Sequence, residues 1–108
     1  MIEVNAAKPQ PLTVQMGQRL LQHARAAGYD IDNVKWVMGL EQEFAIENMM
    51  VNVVAIGNPS HVIRKSAPKT FMGREVEVHS DAPKDEIHLV SAEGMIIGRI
   101  YNLAVLGA

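Results

Sequence analysis

Four histidines, at positions 23, 61, 79 and 88, are the residues best suited to acid–base or metal chemistry in this chain. His79 and His88 flank a loop that also carries Asp81 and Asp85. If that loop closed a hairpin, two imidazoles and a carboxylate would face one another, a donor set that suits a divalent metal. The spacing matches no known ligand motif, and hairpin histidines are ordinarily half-exposed and solvated. His23 falls on a helical stretch and reads as a surface residue. Glu75 and Glu77 lie two apart on a strand, which puts both carboxylates on one face. Two acids can divide acid and base roles, but the simpler expectation is a solvated face. The serines, at 60, 66, 80 and 91, lie outside any G-x-S-x-G elbow. Gly94 and Gly98 precede no helix, so they form no dinucleotide fingerprint; a turn and a bulge or close-packed strand position account for them. Cysteine is absent, which removes disulfides, thiolate metal sites and a thiol nucleophile. No catalytic, cofactor-binding or metal-ligating residue is assigned, and the expectation is a protein that is not an enzyme and carries no cofactor.

These groups must be positioned by one domain. The length of 108 residues matches the commonest domain size, and 48% hydrophobic with 20% charged residues suits a globular chain. Ten basic against twelve acidic residues give a formal charge of −2. The nearest approach to a basic cluster is Arg64, Lys65 and Lys69, so binding to a phosphate backbone is not expected. The N-terminus lacks the charged and apolar regions of a signal peptide, and no apolar run approaches the roughly 20 residues of a membrane span. A soluble protein is expected.

Residues 1–11, with Pro9 and Pro11, read as an extended N-terminal arm, either disordered or laid on a neighbour. Residues 12–108 read as a single α+β domain. Thr13 is a suitable N-cap. Met16, Leu20, Leu21, Ala24 and Ala27 then share a helical face, and Gly28 suits the left-handed stop. The expected helix is 14–27, with Gly17 costing about 1 kcal/mol against alanine. Val34, Trp36 and Met38 alternate as a strand, and Val37 between them indicates that both faces are covered. Residues 41–50 read as a second helix with Phe44, Ala45 and Met49 on one face. Strands are expected over 51–56 and 61–64, separated by the turn Gly57-Asn58-Pro59-Ser60. The C-terminal third is mostly strands: 74–79 with Val76 and Val78 on one side, 86–91 with Ile87 and Leu89 together, and 95–101 after a turn at 92–94. Residues 103–106 are apolar and too few to assign. The fold expected is two short helices packed on a mainly antiparallel sheet. Met38, Met49, Met50, Met72 and Met95 fill core or interface gaps in this reading, with a methionine-rich contact surface as the alternative.

Residues 34–98 resemble one known pattern. Val34-Lys35-Trp36-Val37-Met38-Gly39-Leu40-Glu41-Gln42-Glu43-Phe44 is similar to the strand and helix-opening turn of tailed-phage major capsid proteins of the HK97-like fold. Thr70-Phe71-Met72-Gly73-Arg74-Glu75-Val76-Glu77-Val78-His79-Ser80-Asp81-Ala82-Pro83 resembles that family's next strand and loop, with Glu75 where the family often has proline. Ile87-His88-Leu89-Val90 and Gly94-Met95-Ile96-Ile97 resemble the strand pair that follows. The chain has no counterpart to the family's long spine helix or E-loop. The resemblance implies a structural, capsid-like assembly protein, cytoplasmic or in a virion, forming a homo-oligomer or binding a protein partner, with 1–11 and 103–108 as contacts to neighbours. The alternative is a small module that binds a peptide, nucleotide or host factor through the charged and aromatic stretch from Pro59 to Arg74.

Overall fold

The structure is a computed structural model that describes residues 1–47 and 70–105. The strands expected at 51–56 and 61–64, the turn at 57–60, His61, Met49, Met50 and the Arg64-Lys65-Lys69 cluster lie outside those residues. The described chain is an α+β fold: two helices and a six-stranded mixed sheet. In chain order the elements are β1 (Ile2–Gln10), α1 (Val14–Ala26), β2 (Lys35–Met38), α2 (helical over 40–47), β3 (Thr70–Phe71), β4 (Arg74–Val78), β5 (Ile87–Val90) and β6 (Ile96–Leu103).

Helix α1 forms where its apolar period places it. The Thr13 hydroxyl accepts from the Met16 N–H at 3.2 Å, satisfying one of the amides a helix start leaves open. Gly28, at φ +94°, turns the chain away. Met16, Leu20, Leu21 and Ala24 are buried against the sheet. Gly17 has a packing reason: a Cβ there would come within 2.8 Å of the Phe71 ring. Gly98 on β6 is its counterpart, since a Cβ would meet Leu20 at 2.9 Å. Two missing side chains thus set how closely helix and sheet approach. An irregularity in the β5–β6 register sits beside Gly98: Leu89 pairs with Gly98, whereas Val90 pairs with Ile96.

The sheet order is β1-β6-β5-β2-β4-β3. Pairs β6–β5, β5–β2 and β4–β3 are antiparallel; β1–β6 and β2–β4 are parallel. Two features of the sheet depart from the sequence reading. First, the stretch read as an arm is a strand of its own sheet. Val4 and Ala6 are only 3% and 2% exposed, and Ile2 to Asn5 pair with Gly98 to Tyr101. Their alternation is apolar only at Ile2, Val4 and Ala6, too short a run beside Pro9 and Pro11 to signal a strand. Second, β4 and β5 do not form a hairpin. β2 lies between them, paired with each. Its central place follows from its apolar residues: Trp36 and Met38 are fully buried and Val37 is half-covered on the other face.

Helix α2 buries Gln42, Ala45 and Ile46. That spacing turns Phe44, expected on the buried face, outward: it is 47% exposed and Leu40 63%. The Gln42 amide donates to the Lys84 carbonyl at 2.8 Å and to that of Ala104 at 3.1 Å, tying the loop before β5 and the chain after β6 to α2. The β3–β4 hairpin turns on Met72 and Gly73, at φ +56° and +77°, the twist a two-residue turn requires. Trp36 Nε1 donates to the Phe71 carbonyl at 2.8 Å, and the two rings lie 5.2 Å apart.

Candidate functional site

One sheet face carries the core; the other carries the charge. Because side chains alternate along each strand, the register aligns one row across five strands: Glu3 beside Arg99, Arg99 beside His88, His88 beside Val37 and Val37 beside Glu77. Asn5 and Tyr101 stand side by side in the neighbouring row. Lys35 lies on the same face, two residues before Val37.

Most charges of this face are engaged with one another, Glu75 excepted among the described residues. Arg99 bridges two carboxylates: Nη2 lies 2.7 Å from Glu3 Oε2, and Nη1 lies 3.2 Å from Glu86 Oε2. Its guanidinium carbon sits 4.6 Å from the centre of the Tyr101 ring, a cation–π contact. The bond from Glu3, followed by the nearby charges of Glu3 and Glu86, raises the Arg99 pKa further above an already high value. His88 Nε2 lies 3.1 Å from Glu86 Oε1. On the other side of Val37, Lys35 Nζ donates to Glu77 Oε1 at 2.8 Å, and Glu77 also contacts His79 Nε2. The Lys35 bond, then the His79 bond, holds the Glu77 carboxyl below the usual carboxylate range; the same Glu77 bond raises the Lys35 ammonium.

The two histidines singled out above are therefore not partners. Each contacts the glutamate two residues before it on its own strand or strand end, and β2 separates the two pairs. Asp81 and Asp85 join neither pair in the hydrogen bonds and ion pairs found among the described residues. Among those residues no group of three or more His, Asp and Glu is placed to hold a metal ion. Glu75 is exposed as expected, whereas Glu77 is partly covered by its two partners. His23 lies exposed on α1. Ser91 closes the β5–β6 turn: its hydroxyl accepts from Met95 N–H at 3.2 Å, and Gly94, at φ +87°, sits within that turn. Of the methionines, Met38 is fully buried, Met72 packs against the core and Met95 is 66% exposed.

Two further features could receive a partner. A shallow hollow of about 210 Å³ lies where β2 begins, lined by Asn33, Val34, Lys35, Glu75, Ser91, Ala92 and Gly94. The second is the outer edge of β1, the terminal strand of the described sheet. Sequence reasoning missed the charged row because its members come from five strands whose order is set by the insertion of β2. The half-covered Val37 was the one local sign that β2 is interior.

Among the described residues no helix is long and apolar enough to cross a membrane. Comparison with family models, with curated proteins and with solved structures finds no match to this chain.

Proposed function

We propose that this chain is a non-enzymatic structural protein that works by associating with itself. The observation that carries the reading is the nine-residue strand β1 at the margin of the sheet, whose outer edge has no strand beside it among the described residues. A strand in that position offers a row of backbone donors and acceptors to another chain. The mutually engaged charges of the open face agree with a scaffold role, since Arg99, Glu3, Glu86, Lys35 and Glu77 are used in holding strands together. A capsid-like role in a virion, which the resemblance implies, is a narrower form of the same proposal. Light scattering across a concentration series tests the broad form, with a mass that grows with concentration expected; a constant monomer mass removes it. Electron microscopy of the concentrated protein tests the narrow form, which requires closed shells or regular arrays.

A second reading, a small-ligand binding module, is favoured by the hollow at Asn33, Lys35, Glu75 and Ser91. Its volume suits only a small polar molecule, below the roughly 300 Å³ at which ligand pockets usually begin. Thermal-shift screening with small polar metabolites tests it, and a Lys35→Ala variant should abolish any shift found.

A further inference from the structure

The two margins of the described sheet are defended unequally. Over the described residues β3 spans only Thr70–Phe71, and so short a strand presents little edge for another chain to pair with. β1 is nine residues long, and apart from the Glu3 carboxylate, which Arg99 holds, its defences lie in its second half. Ala7 has φ +73°, and the register with β6 breaks between Asn5 and Gln10. Both polar groups of the peptide joining Ala6 and Ala7 are engaged by side chains: the Ala7 N–H donates to Asn5 Oδ1 at 2.8 Å, and the Gln10 amide donates to the Ala6 carbonyl at 2.6 Å. Lys8 and Pro9 follow, both residue types that discourage edge pairing. Residues 2–6 carry no bulge, lysine or proline.

We propose that residues 2–6 of β1 pair antiparallel with the same residues of a second copy, about a two-fold axis at Val4. This inference rests on the self-association proposed above and names the surface and partner. The side chains select the register. Centred on Val4, it sets Ile2 opposite Ala6 and Val4 opposite itself on the core face, and Glu3 opposite Asn5 on the charged face. Each Glu3 then meets a neutral amide donor. A register centred on Glu3 would oppose two carboxylates directly, which is destabilising. One centred on Asn5 would set Glu3 opposite Ala7, where the strand has already broken. An isologous contact of this kind closes on itself as a dimer and joins two sheets into one.

Asn5 is exposed and provides the test. In Asn5→Glu each new carboxylate would oppose Glu3 of the other copy, twice over by symmetry; in Asn5→Lys each ammonium would oppose it favourably. Sedimentation over a concentration series should show a wild-type dimer, a dissociation constant roughly tenfold weaker for Asn5→Glu, and one equal to or tighter than wild type for Asn5→Lys. Circular dichroism establishes that both variants are folded. Because the chain has no cysteine, Asn5→Cys carries a single nitroxide, and dipolar broadening of its spectrum on dimerisation is expected. A wild-type protein that stays monomeric at every concentration overturns both this inference and the self-association reading. Association that is unaffected by either charge, or weakened equally by both, or that leaves the nitroxide unbroadened, overturns this interface and leaves self-association standing.

Discussion

Glu77 shows how one residue on the open face couples stability to pH. Its carboxyl is held below the usual carboxylate range by Lys35 first and His79 second. A lowered folded-state pKa contributes stability that is complete above the ordinary carboxylate range and is lost as pH falls through the lowered value. The partner works in the opposite direction: the raised Lys35 pKa contributes stability present below the ordinary ammonium value and lost as pH rises through the raised one. Urea midpoints of wild type and Glu77→Gln should therefore differ between those limits and converge in acid; a gap that persists at the lowest pH would contradict the assignment. Gly17 makes a second point at this scale. Alanine at a helix interior ordinarily gains about 1 kcal/mol over glycine. Here the new Cβ would lie 2.8 Å from a Phe71 ring that is itself 5% exposed and packed on Trp36. Overpacking of this kind costs about 1–3 kcal/mol, so Gly17→Ala should destabilise in chemical denaturation. Stabilisation would show that the ring yields freely. The sequence marked Gly17 as a cost without showing what offset it, because Phe71 lies more than fifty positions away.

Among the elements, those with a strong local period were legible and those defined by distant partners were not. Thr13, the 16-20-21-24 face and Gly28 predicted 14–27, and α1 runs Val14–Ala26. Trp36 and Met38 predicted β2, and Ile87 and Leu89 predicted β5. β1 was hidden because its partner strand begins more than ninety residues later, and a hairpin of β4 with β5, which their nearness in sequence suggests, does not form because β2 lies between them. Of the face expected for α2, Ala45 is buried and Phe44 is not, because Gln42, a polar residue, is the most deeply buried member. Its amide satisfies two carbonyls from separate segments. Gln42→Leu keeps the bulk and removes both donors, but also the buried Oε1 that has no partner among the described residues, so a net cost of about 1 kcal/mol is expected through the carbonyls left unpaired. Hydrogen exchange should quicken around Lys84 and Ala104 more than at α1; uniform quickening would argue against a tether.

For the molecule as a whole, the union of β1 and β6 joins segments far apart in the sequence into one structural unit. The Glu3–Arg99 bond spans 96 positions. Contacts so distant in sequence slow folding, because the loop must close before they stabilise it. Deleting residues 1–6 removes Val4 and Ala6 from the core and bares β6. A stability loss of at least about 2 kcal/mol is expected from the valine alone, measured as a fall in the denaturation midpoint. An arm that merely reached out to a neighbour would leave the dilute monomer's midpoint unchanged.

The parallel course of β1 and β6 has a mechanical consequence. The chain enters β1 near Gly98 and leaves β6 near Gln10, so traction applied at residues 2 and 103 pulls the two strands in opposite directions along their length. Such a load falls on all their cross-links together, as in shear, rather than peeling them one at a time. Held by its ends, the sheet is strapped along the line of tension, and single-molecule stretching should find it stiffer in that direction than when gripped across β3 and β4.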